Sequence, residues 1–137
     1  MAEKTMSASP AALVDPAPLR GRRILVIEDE YFLADDIARE LKLLGAQIVG
    51  PVGQIEEAAI IVETDVALDG AVVDINLHNE MVFPVTRTLR LRRVPFVFAS
   101  GYGMATVDPE FQDVVLWEKP LDVAAMAQGL AGMIKKR

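Results

Sequence analysis

Gly70-Ala71-Val72-Val73-Asp74 is the stretch that decides the fold. It is a short apolar run that closes on a carboxylate, and it reads as a strand buried on both faces. Three other apolar segments end the same way. Ile24-Leu25-Val26-Ile27 runs into Glu28 and Asp29, Phe96-Val97-Phe98-Ala99 into Ser100, and Val114-Val115-Leu116-Trp117 leads to Lys119-Pro120. In an open parallel α/β sheet the carboxyl ends of the strands converge on one rim, where ligands bind.

Working outward, strands and helices alternate. A first strand is expected over 23–27. A helix follows over 30–44, with Leu33, Ile37, Leu41 and Leu44 at helical spacing and Gly45 as its stop. Residues 47–52 make a second strand, punctuated by Gly50-Pro51 and Gly53, and 54–64 a second helix around Ile55, Ala58, Ala59 and Val62. Strand three is 70–74. Pro84 sits in the first turn of a third helix that runs to about Arg93. Strand four is 96–100 and strand five 114–117. Between them, 104–113 is a short helical segment broken at Asp108-Pro109. Asp122 caps a last helix that carries Val123, Met126, Leu130 and Ile134 inward.

This alternation predicts an α/β doubly wound parallel sheet of five strands with right-handed crossovers. Its flavodoxin-like strand order would be 2-1-3-4-5, with an irregular or short helix four. Residues 1–20 carry Ala, Ser and Pro without a period and read as a disordered leader, leaving 21–137 as one folded domain.

Composition sets limits. At 137 residues with 52% hydrophobic content, the chain can bury a core. A net charge of −6 argues against nucleic acid or an anionic membrane as partner, because either would want a basic stripe. Without cysteine there are no disulfides and no thiolate zinc sites, which is compatible with a cytoplasmic location. No apolar run approaches the roughly 20 residues of a membrane span. We expect a monomer.

The rim residues suggest a chemistry. Phosphoryl transfer depends on positioning and charge neutralisation. Magnesium takes oxygen ligands, usually one or two carboxylates together with phosphate oxygens and water. In the expected strand order, strands one and three are neighbours, so Glu28, Asp29 and Asp74 would meet. Clustered carboxylates repel one another and raise pKa values unless a cation is present. Ser100 would donate one hydrogen bond to a phosphoryl oxygen, and Lys119 would supply a point charge.

On these residues the chain resembles a response-regulator receiver domain over 22–137. The resemblance covers the acidic pair Glu28 and Asp29, the acceptor Asp74, the hydroxyl Ser100, and Lys119 before a proline. It implies Mg²⁺ held by Glu28, Asp29, Asp74 and the backbone carbonyl of Asn76. It also implies a catalytic set of Asp74, Ser100 and Lys119, and a histidine kinase or histidine phosphotransfer protein as phosphodonor in a two-component phosphorelay. Slow self-dephosphorylation is expected, not enzymatic turnover. Asp74-Ile75-Asn76-Leu77, Phe83-Pro84-Val85 and Pro95-Phe96-Val97-Phe98-Ala99-Ser100-Gly101-Tyr102-Gly103 are similar to the alphaproteobacterial FAT GUY subgroup. Members of that subgroup are often single-domain regulators of stress responses; here Ser100 replaces its threonine. A magnesium-dependent phosphatase with an aspartyl nucleophile is the alternative, as is a receiver cut from a hybrid kinase.

One departure concerns output. The strand-five position that carries an aromatic switch in ordinary receivers is Leu116. Tyr102, flanked by two glycines, is the expected substitute. Other residues read blandly. His78 reads as loop polarity more readily than as a ligand or pH sensor, and Trp117, Met126 and Met133 as core. Arg87, Arg90, Arg92 and Arg93 read as a solvated helix face.

Overall fold

The structure is a computed structural model, and it describes residues 15–134. Five parallel strands form one sheet: β1 (Arg23–Ile27), β2 (Gln47–Val52), β3 (Gly70–Asp74), β6 (Phe96–Ser100) and β7 (Leu116–Glu118), in the order β2-β1-β3-β6-β7. That is the expected flavodoxin-like order. Four helices flank it: α1 (Tyr31–Leu43), α2 (Ile55–Thr64), α3 (Phe83–Leu91) and α4 (Val123–Met133).

Side chains alternate across a strand, so each buried strand feeds two cores. On one face Leu25, Ile27, Val73 and Phe98 pack with Ala58, Val62 and Leu89. On the other, Ile24, Val26, Val72 and Val97 pack with Ile37, Leu41, Met126 and Leu130. Burying one Leu, Ile or Phe side chain contributes about 1.5–3 kcal/mol. The two-sided core thus explains why the central strands read as continuous apolar runs. The register sets Asp74 beside Ala99 and Ser100 beside Glu118, which brings the strand ends to one level.

The expected irregular helix four is present, and three other details depart from the sequence reading. The segment 104–113 folds as two 3-10 turns, Met104–Thr106 and Pro109–Phe111. The second starts at proline, and the Asp108 side chain caps it by accepting from the Glu110 N–H. Strand five begins at Leu116, two residues later than expected. An unexpected hairpin, β4 (Asn76–Leu77) with β5 (Glu80–Met81), follows β3. Its two turn residues, His78 and Asn79, both have positive φ (48° and 68°). Finally, Met133 is partly exposed and is not core, whereas Met126 is fully buried.

The folded part also starts before residue 21. Leu19 is completely buried, and its N–H donates to the Leu44 carbonyl at 2.8 Å. The rest of the expected leader, 1–14, lies outside the described residues, as do 135–137 at the end of the domain. Gly45 ends α1 with φ +98°, and a side chain there would strike the Arg20 backbone at 2.9 Å. Only glycine serves both needs.

Candidate functional site

Two strand ends and two loops bring the site together. Glu28 follows β1, Asp74 ends β3, Ser100 ends β6, and Lys119 follows β7. The backbone ties two of them directly, since the Lys119 N–H donates to the Ser100 carbonyl at 2.8 Å. The Glu28 N–H donates to the Val52 carbonyl at 2.9 Å, fixing the start of the β1–α1 loop. The Lys119–Pro120 peptide is cis.

Glu28, Asp74 and Ser100 are buried polar residues in an otherwise apolar interior, with relative exposures of 3%, 4% and 1%. Lys119 reaches over them. Its Nζ lies 3.2 Å from Asp74 Oδ2 and 3.1 Å from Glu28 Oε1, and it also pairs with Glu30. Asp74 Oδ1 accepts from the Asn76 N–H at 3.3 Å. Glu28 Oε2 accepts from the Glu30 N–H at 3.1 Å.

The charges are mutually adjusted. Burial, then the Asp74 charge, pushes the Glu28 carboxyl well above the usual range. Burial also raises Asp74, against the opposing pull of Lys119. For Lys119, burial alone would favour the neutral amine. Its bond to Glu30 and the charges of Asp74 and Glu28 outweigh that and hold the ammonium above its ordinary value.

These residues fit a hard cation. Carboxylate oxygens of Glu28, Glu30 and Asp74 lie within 4.8 Å of one another. Glu28 Oε1 is buried and accepts no hydrogen bond from the described residues, although Lys119 Nζ is near. Oxygen donors of this kind suit magnesium.

Not every expected ligand sits in this cluster. Asp29 Oδ2 accepts instead from the His78 N–H at 3.2 Å, with His78 Nδ1 at 3.6 Å. The β4–β5 hairpin is what presents that N–H. Glu30 is the residue that sequence reasoning left out; its signal was the unbroken acidic run Glu28-Asp29-Glu30. Asn76 donates to Asp74 while its side-chain Oδ1 accepts from the Asn79 N–H at 2.8 Å, so the hairpin turn anchors to the loop that leaves β3. Ser100 Oγ accepts from the Tyr102 N–H at 3.0 Å, which leaves the hydroxyl proton to donate elsewhere. Tyr102 is 58% exposed, and its backbone N–H is the group that meets Ser100.

The segment that replaces helix four is clasped to α3. Arg87 pairs with Glu110 and Asp108, and Arg90 with Asp113. The Arg90 guanidinium lies 4.9 Å over the Phe111 ring. Phe111 is buried and stacks on Phe83, with ring centroids 5.6 Å apart. So Arg87 and Arg90 do more than line a solvated face, and Arg92 donates to the Glu63 carbonyl.

Carboxylates beside a lysine ammonium and a buried hydroxyl, on the switch-point rim of a parallel sheet, are the equipment of a phosphoryl-accepting signalling switch. The comparisons agree. SdrG from Sphingomonas melonis Fr1, in solution, is 35% identical over 82% of this chain and 95% of its own, with a TM-score of 0.71. The BeF3-activated conformation of SdrG from Pseudomonas melonis Fr1 is 34% identical over 82% of this chain and 96% of its own, with a TM-score of 0.66. The receiver domain of the hybrid histidine kinase CckA is 25% identical over 82% and 99%, with a TM-score of 0.67. No family model matches the chain, and no curated protein matches it. The chain belongs to the response-regulator receiver family. Receivers bind Mg²⁺ at an acidic pocket, and the acidic cluster here stands at the same rim. No helix among the described residues is long and apolar enough to cross a membrane.

Proposed function

We propose that Asp74 is the phosphoryl acceptor of a two-component phosphorelay, fed by a histidine kinase or a histidine phosphotransfer protein. The observation that carries this reading is the buried Asp74 carboxylate held 3.2 Å from the Lys119 ammonium. An Asp74 carboxylate oxygen attacks the phosphorus of phosphohistidine. The O–P bond forms as the P–N bond breaks, and the imidazole leaves with the electron pair. Lys119 pairs with one phosphoryl oxygen, and the Ser100 hydroxyl donates to another. Water later attacks the phosphorus of the acyl phosphate, the Asp74 O–P bond breaks, and inorganic phosphate leaves as the aspartate is restored, a self-dephosphorylation we propose to be slow.

Glu28 and Asp74 are proposed to hold the magnesium, joined by Asp29 once its carboxylate turns away from His78, and by the Asn76 carbonyl. Bound there, the ion would neutralise both the acceptor and the incoming phosphoryl group. Within the family, the run Phe98-Ala99-Ser100-Gly101-Tyr102 supports membership of the FAT GUY subgroup. We further propose a cytoplasmic, monomeric protein.

The test is mass spectrometry after incubation with acetyl phosphate and magnesium. One phosphoryl adduct is expected on the wild type and none on Asp74→Asn, whose amide is nearly isosteric but a poor nucleophile. An adduct that persists in the variant would refute the assignment.

A further inference from the structure

The rim opposite Asp74 holds a cavity that phosphoryl acceptance does not use. It has a volume of about 600 Å³ and lies where the chain enters β3 and β6, between the carboxyl-terminal ends of α3 and α4. Such a volume is in the range of small-molecule sites. Its apolar wall includes Val94, Pro95 and Met133. Its charged wall carries four arginines, 22, 90, 92 and 93, against two aspartates, 69 and 113.

The pairing leaves a positive remainder. Arg22 is committed to Asp69 at 3.3 Å, and Arg90 to Asp113 at 3.1 Å. Arg92 donates through Nη2 to the Glu63 carbonyl, which is uncharged, and keeps its other donors. Arg93 makes no ion pair with any described carboxylate. It also holds φ +59° immediately after the α3 cap residue, a conformation uncommon for a residue with a side chain. Cations near a helix C-terminus are favoured by the helix dipole, which accounts for one or two of them. It does not account for placing them around a cavity with an apolar wall.

We propose that this cavity binds a small organic anion: a phosphate, phosphonate or carboxylate group on an apolar body. The planar guanidinium of Arg93, with that of Arg92, takes the anionic group in fork geometry. The apolar body lies against Val94, Pro95 and Met133. The site goes beyond phosphoryl acceptance and stands or falls separately from it.

The experiment is an amide NMR titration of the full chain with three probes: phenylphosphonate, benzoate and inorganic phosphate. Phenylphosphonate, benzoate or both should give saturable shifts at residues 92–96 and 133–134, and inorganic phosphate should bind at least tenfold more weakly. The two organic probes separate a phosphonate-type from a carboxylate-type site. Arg93→Asn keeps a residue that tolerates positive φ and should weaken binding at least tenfold; Arg92→Ala is the second variant. Neither change should alter phosphorylation of Asp74 by acetyl phosphate. No saturable shift with either organic probe overturns the proposal. So does inorganic phosphate binding as tightly as they do, or unchanged affinity in both variants.

Discussion

Lys119 Nζ stands 3.2 Å from Asp74 Oδ2, where it serves as an internal counter-ion to the cluster that magnesium would neutralise. Lysine and metal therefore compete for the same negative charge. Lys119→Met should tighten magnesium binding by about tenfold, about 1.4 kcal/mol, because the metal no longer displaces an ammonium. Asp74 should still be phosphorylated, but the β7–α4 loop should lose most of its response. A magnesium titration followed by calorimetry decides the first point, and amide shifts on phosphorylation the second. Unchanged or weaker metal binding would contradict the competition.

Glu28 sets a pH dependence. Its carboxyl is raised by burial and by Asp74 from 4.5 to about 8 in the folded protein. A raised pKa means that its contribution to stability is fully present below the unfolded value and is lost as pH rises through the folded one. Asp74, also raised, acts in the same direction. With EDTA present, the thermal midpoint should fall as pH rises from about 4.5 to about 8. Glu28→Gln should remove most of that slope, and saturating magnesium should do the same in the wild type. A flat profile without metal would show that the cluster is not strained.

Much of this site was legible because each polar residue ends a run of buried apolar ones. Ile24 to Ile27, Gly70 to Val73 and Phe96 to Ala99 are buried on both faces, so their terminal acids and hydroxyl can only emerge at the rim. What escaped has physical reasons. The hairpin turns on His78-Asn79, which lacks the Asn-Gly signal of such loops. Leu19 is a lone apolar residue among alanines and prolines, and periodicity cannot flag one side chain. Within Glu28-Asp29-Glu30, the choice of which carboxylate faces Lys119 depends on side-chain rotation and on the hairpin N–H that captures Asp29.

Asp29 and Glu30 can be separated by mutation. Asp29 is held by one long N–H contact of 3.2 Å, weak enough for a divalent ion to outbid. Asp29→Ala should weaken magnesium binding by tenfold or more, about 1.4 kcal/mol. Glu30→Ala, at an exposed position, should change it by less than about threefold, in keeping with the small worth of exposed charge pairs. The reverse order in a calorimetric titration would move the ligand role from Asp29 to Glu30.

Phe111 anchors the segment that stands in place of helix four. The ring is fully buried and packs with Phe83, Phe96 and Phe98. Phe111→Ala should cost about 3–5 kcal/mol in denaturant unfolding. Arg90→Ala removes an exposed ion pair and a cation–π contact, and should cost only about 0.5–1 kcal/mol. Near-equal losses would mean that the arginine clasp, not the aromatic cluster, holds the segment.

Tyr102 is the remaining question, because it is tied to the chemistry through one hydrogen bond. Its N–H donates to Ser100 Oγ at 3.0 Å while its ring stays largely in solvent. A serine hydroxyl donates one hydrogen bond and accepts others, so Ser100 can turn toward a phosphoryl oxygen and still hold the Tyr102 amide. Moving the hydroxyl would then draw the 101–103 loop with it, carrying the ring toward the 104–113 segment. Leu116, at the usual switch position on β7, has no ring to do this. Such a shift requires only a few kcal/mol of differential interaction. Tyr102→Ala should therefore accept phosphate at Asp74 normally but lose most of the phosphorylation-dependent amide shifts in 104–113. Tyr102→Phe should keep them if the ring alone matters, and lose them if the hydroxyl finds a partner in the phosphorylated state. Wild-type shift changes in Tyr102→Ala would show that the tyrosine only fills the loop.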